Sequence, residues 1–178
     1  MLKRILVFNL LCVLMASCAS VVMQNPPDPY QQINTAYEEM RQGRQAAAEK
    51  LILSSIEQFK QQNNKAGLAK AYATYGNYHK YAFKTKPIKA PNPQESVNYF
   101  KKAIELYTEL GNKNSIAKCH LGIADALIDT DKKTACEHYD LALQNSDDTT
   151  NTFSLNPEYK SFSEMIQSYK KEFCGDLE

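Results

Sequence analysis

Apolar residues fall along this chain in two different patterns. The first is a single uncharged, mainly apolar run from Ile5 to Met15, preceded by Lys3-Arg4 and followed by the small residues Ala16 and Ser17 and then Cys18. The second begins near Tyr30, where apolar positions recur every three or four residues in a background rich in Ala, Leu, Lys, Glu and Gln, the signature of amphipathic helices. No convincing strand alternation interrupts it, so an all-α fold is predicted, with helices near 30–42, 45–62, 65–83, 93–110, 114–128, 132–145 and 157–173. Asn92-Pro93-Gln94-Glu95 combines an N-cap, a proline at the first helical position and a glutamate able to reach back to the cap. Asn156-Pro157-Glu158 predicts another start, and Gly111-Asn112 and Gly175 predict stops, because glycine accepts the left-handed conformation that follows many helices.

The helices carry a repeated spacing. Ser96, Phe100 and Ala103 match Ala135, Tyr139 and Ala142 in intervals of four and three, and Ala48, Ile52 and Ser55 repeat them more weakly. The preceding helices hold Gly76 and Gly122, small residues that let two helices of a hairpin approach closely, with Gly43 as the sign of an earlier copy. Over roughly residues 34 to 145 this pattern resembles the tetratricopeptide repeat, most strongly from Glu95 to Ala142. The resemblance implies a short right-handed solenoid of about three helical hairpins. An insertion, Lys84 to Pro93, departs from the family spacing, and the repeat is one residue longer than the family norm between Gly122 and Ala135. Tyr159, Phe162, Ile166, Tyr169 and Phe173 form one stripe of a final helix that is expected to close the stack, whose terminal repeat otherwise exposes an apolar face.

The amino terminus changes the picture from a free domain to a tethered one. Its eleven-residue, mainly apolar run falls short of the roughly 20 that span a bilayer as a helix, and a basic start, apolar run and small residues make a secretory signal. Met15-Ala16-Ser17-Cys18 also resembles the lipobox of bacterial lipoproteins, although Leu14 stands one place before the usual leucine position. That resemblance implies acylation of Cys18, palmitate among the chains, and a mature amino terminus there. Ala19 in place of aspartate then favours the outer membrane, facing the periplasm. Two or more acyl chains hold a protein stably where one does so marginally. The expected organisation is a signal at 1–17, Cys18 with an extended Pro-rich linker to residue 29, and a helical domain over 30–178.

Loss of Lys3 and Arg4 leaves 19 basic against 20 acidic residues in a mature chain of 161. Nucleic-acid binding usually requires a basic excess that neither this balance nor any long Lys/Arg block supplies. Cys119, Cys136 and Cys174 remain beside Cys18. Cys136–Cys174 is the preferred bridge in an oxidising compartment, since it would staple the last helix to the last hairpin. The other two pairings and a reduced trio stay open.

His79, His120 and His138, the only histidines, fall in no triad or chelate spacing on one helix. His120 beside Cys119 and His138 two after Cys136 would make a Cys/His site only if the two helices faced suitably, so no metal or cofactor is predicted. His79 reads as a packed residue beside Leu68, Tyr72, Tyr75 and Phe83. With no phosphate loop, nucleophile elbow or metalloprotease helix, no enzyme is predicted. Matching the family's inner positions places Lys70, Ala73, Asn77, Lys80 and Tyr81 on a concave face, where cationic, amide and aromatic groups suit an extended peptide or a carboxylate. Lys84, Lys86 and Lys89, in the proline-stiffened insertion, are further candidates for a protein partner. Ile116, Cys119, Ile123 and Leu127 read as an apolar strip that receives the closing helix. The expected function is a non-catalytic adaptor in envelope assembly or secretion. An inhibitor or immunity lipoprotein is the alternative.

Overall fold

The computed structural model describes residues 27–80, 91–148 and 158–175. These residues fold into α-helices with no strand among them: α1 (Pro29–Arg41), α2 (Gln45–Gln61), α3 (Lys65–Lys80), α4 (Pro93–Glu109), α5 (Lys113–Leu127), α6 (Lys132–Asn145) and α7 (Phe162–Cys174). Each helix packs on its neighbours in the chain, and α1 with α3 and α3 with α5 also meet.

Short-range chemistry accounts for the boundaries. Side chains of Asp28, Asn92, Asn112, Asp131 and Ser161 accept hydrogen bonds from backbone N–H groups three residues on, at 3.0–3.1 Å, satisfying donors that a helix start leaves open. Three helix-to-helix turns are built alike around Gly43 (φ 73°), Asn63 (φ 51°) and Gly111 (φ 65°). In each, two successive N–H groups donate back to the ending helix: Gly43 to Met40 and Arg44 to Glu39, Asn63 to Lys60 and Asn64 to Phe59, Gly111 to Thr108 and Asn112 to Tyr107. Asn63 serves because Asn tolerates the left-handed region better than most residues with a Cβ.

Several expectations need correction. Gly43 belongs to a turn, and the fully buried small residue of α1 is Ala36, twelve before Ala48. Pro29, assigned to the linker, is the buried first residue of α1. The final helix begins at Phe162, capped by Ser161, rather than at 157; Glu158 and Tyr159 precede it. Gly175 has φ −58°, so that helix does not end in a left-handed glycine. In the stripe of α7, Phe162 and Ile166 are buried while Phe173 is exposed, and Met165 and Cys174 take its place in the core. The last turn predicted for α3, over 81–83, lies outside the described residues. So do the signal, Cys18 and most of the linker.

The core passes along the stack in three overlapping clusters. Ile33, Ile52, Phe59 and Tyr75 join α1–α3; Val97, Phe100, Ala103, Cys119 and Ile123 join α4 and α5; Ala117, Ala124, Tyr139, Phe162 and Ile166 join α5–α7. Cys119 and Ile123 therefore lie with Phe100, whereas the cluster of the closing helix takes in Ala117, Ala124 and, from the expected strip, Leu127. The cause is the rotation along α5: positions 117 and 124, seven apart, share a face that 119 and 123 do not.

Glycines set the helix spacing at two aromatic rings. A Cβ on Gly122 would stand 2.4 Å from the Phe100 ring, one on Gly76 would stand 3.0 Å from the same ring, and one on Gly67 would stand 2.2 Å from Phe59. Ser96 helps from the other side: its buried hydroxyl donates to the Gly76 carbonyl at 2.9 Å, tying α4 to α3. Cys136 and Cys174 are joined by a disulfide, the pairing favoured from sequence, and Lys170–Asp140 at 2.9 Å is a second link between α6 and α7. Asn114 adds a clamp, donating from its amide to the Asp147 carbonyl at 3.0 Å and accepting from the Asp147 N–H at 2.8 Å. Asp148 then accepts from the Ser163 N–H at 3.1 Å at the start of α7.

Gly122→Ala should cost about 1–3 kcal/mol, because rigid helices cannot move off the Phe100 ring, and Phe100→Ala about 3–5 kcal/mol. In urea unfolding the double variant should lose less than the two costs combined, since the ring that clashes is gone. Cys174→Ser should destabilise by about 2–4 kcal/mol, and the loss should vanish when wild type and variant are compared under reducing conditions.

Candidate functional site

A groove of about 310 Å³ opens where α1, α3 and α5 approach one another. From α3 come Lys70, Ala73, Asn77 and Lys80, on a spacing of three and four that places them on one face. From α5 come Ser115, Lys118 and Asp125, with Cys119 and Gly122 deeper. Tyr37 borders it from α1, and Phe100 and Tyr107 reach it from α4.

Its polar groups are held in place by the fold. Lys80 Nζ meets Asp125 Oδ2 at 3.0 Å, joining α3 to α5 across the groove, while Asp125 Oδ1 accepts from the Tyr139 hydroxyl at 3.3 Å. Thr74, fully buried, donates to the Lys70 carbonyl at 2.9 Å and accepts from the Tyr37 hydroxyl at 3.2 Å. Lys70 Nζ lies 5.7 Å from the centroid of the Tyr30 ring, a cation–π distance. Burial lowers the Lys118 ammonium from its ordinary value and raises the Tyr107 phenol well above its own. It also pushes the Cys119 thiol up to about 12, so this sulfur is a protonated packing group and a poor nucleophile. Three lysines and one carboxylate give the lining a cationic excess, beside aromatic and amide groups: an arrangement for binding an anion or the polar side of a peptide.

Of the residues singled out from sequence, Lys70, Asn77 and Lys80 are gathered here. Tyr81, Lys84, Lys86 and Lys89 lie outside the described residues, as does Cys18. The two ends of that stretch are close, the Asn92 N–H donating to the His79 carbonyl at 2.9 Å. Tyr37, Tyr107, Lys118 and Asp125 were missed, because they come from other helices and nothing in one helix's spacing reports which side chains of another will face it. Lys118, one residue before Cys119, could have been found by extending the inner-face mapping one place along α5.

A second titratable cluster lies in the α5–α6 hairpin. His120 and His138 approach to 2.9 Å between their Nδ1 atoms. Burial, with His138 nearby, lowers His120 to about 4; burial and then Lys101 lower His138, which Glu137 partly offsets. His79 instead packs among tyrosines, parallel to the Tyr99 ring at 5.6 Å and 4.5 Å from that of Tyr75. No protein family, curated protein or solved structure matches this chain.

Both imidazoles take up protons more readily when the chain is unfolded, where their affinity is ordinary, than when folded. In metal-free buffer, stability should therefore fall as pH drops from about 7.5 to about 5.5, a window above the carboxylate titrations. Replacing both rings, in His120→Gln with His138→Gln, should flatten the slope of urea midpoints across that window.

Proposed function

We propose that this chain is a bacterial envelope lipoprotein whose hairpins form a short tetratricopeptide-like solenoid, anchored through acylated Cys18 at the outer membrane and facing the periplasm. It acts as a non-catalytic adaptor, using the groove between α1, α3 and α5 to hold an extended, acidic segment or chain terminus of another exported protein. The groove's cationic and aromatic lining is the observation that carries this reading. At about 310 Å³ it is at the small end of ligand-sized pockets, which run to roughly 300–1,000 Å³, and so suits a few side chains rather than a folded domain. Tethering would contribute the rest, since confinement beside a membrane raises the effective concentration of a weak partner without any new contact. Three further features agree with a solenoid: helices stacked in chain order, glycine-to-aromatic contacts between hairpins, and a C-terminal helix over the last one. Among the described residues no helix is long and apolar enough to cross a membrane.

Two measurements test the proposal. Mass spectrometry of the mature amino terminus should find acyl chains on Cys18 and none in Cys18→Ser, which should be released from membranes; an unmodified, uncleaved start would overturn the anchor. Pull-downs from solubilised envelope should recover assembly or secretion components with wild type, and at least about tenfold less with Lys70→Glu, which reverses charge in the groove at a residue outside the Lys80–Asp125 bridge. Equal recovery would overturn the groove, and one tight complex with a toxin would replace the adaptor by an immunity protein.

A further inference from the structure

The α5–α6 hairpin brings together two imidazoles that are eighteen residues apart in sequence. Their rings lie 5.1 Å apart between centroids, tilted by 34°, with the Nδ1 atoms 2.9 Å apart. Both side chains are half-buried and come from the middle of regular helices, so backbone as well as packing fixes their positions. In the metal-free pair one Nδ1–H donates to the other Nδ1. If that proton is given up to solvent and the same ring gains one at Nε2, both Nδ1 lone pairs become available to one cation, with no net loss of protons.

Ligand type discriminates among cations. The two nitrogens, 2.9 Å apart, face each other in the hydrogen-bonded pair, and a small rotation of each ring lets both lone pairs converge on one ion at metal–nitrogen bonds of roughly 2.0 Å. The sulfurs nearby do not join in: Cys136 is bonded to Cys174, and Cys119 packs against Val97, Phe100, Ala103 and Ile123. Two imidazoles without thiolate suit copper(II), which also heads the affinity order for divalent first-row metals. Glu137 favours a cation here and Lys101 opposes it. Among the described residues no group of three His, Cys, Asp or Glu side chains is placed to hold a metal, so water must complete the coordination.

We propose that His120 and His138 form a two-nitrogen copper(II) site on the α5–α6 hairpin, a second binding function separate from the groove. The test is titration of copper(II) into the detergent-solubilised full chain, followed by electron paramagnetic resonance and calorimetry. One copper per chain with hyperfine structure from two imidazole nitrogens is expected, with affinity falling at least about tenfold in His120→Gln and in His138→Gln. Zinc should bind less tightly than copper. Uptake unchanged in both variants, or no copper held at equimolar concentration, would overturn the site. Should either variant lose its helicity, the wild type still decides: substoichiometric copper should broaden the imidazole proton resonances of His120 and His138 before those of His79, and broadening centred elsewhere refutes the assignment.

Discussion

The stack depends on one ring. Phe100 projects from α4 into the space between α3 and α5, and it fits because the facing positions, Gly76 and Gly122, have no side chain. Three helices thereby meet around one ring, and beside it Ser96 reaches the Gly76 carbonyl and Lys80 reaches Asp125. The groove adjoins the same packing, since Phe100 and Gly122 both border it. Fold and candidate site thus share one determinant, and any change at the ring should be felt in both.

Much of this was legible before coordinates. Helix positions followed from the three- and four-residue spacing, from the cap at Asn92 and from the stop at Gly111-Asn112, because those signals are local and each satisfies backbone groups within a few residues. The close approach at Gly76 and Gly122 was also readable, since glycine in a helix interior is costly without a packing reason. Asn63 was not: a left-handed asparagine looks like any other polar turn residue. The start of α7 was misplaced for a related reason, in that Asn156-Pro157-Glu158 is a good local start signal, while Ser161, supported by Asp148 from the preceding segment, caps the helix observed.

For the groove, sequence supplied one wall. Lys70, Asn77 and Lys80 lie on a single helix, where periodicity alone determines a common face. The opposite wall depends on the angle at which α5 crosses and on its rotation, and these follow from packing at Phe100 rather than from any local pattern. The assignment of Cys119 and Ile123 to the closing helix failed on this point. A rotation of one helix by a small part of a turn decides which of two apolar strips meets which neighbour. The histidine pair was hidden in the same manner, each ring being unremarkable on its own helix.

The Cys136–Cys174 bond has a consequence for when the molecule is finished. The bond spans 38 residues, so the lid over Tyr139 and Ala142 can be locked only after α7 has found its place on α6 and the two thiols have met an oxidant. Among reducing thiols the lid would rest on noncovalent contacts alone and would bare the apolar side of α6 more often. Such exposure is what proteases and chaperones recognise, so the redox state of one bond sets how long a copy survives.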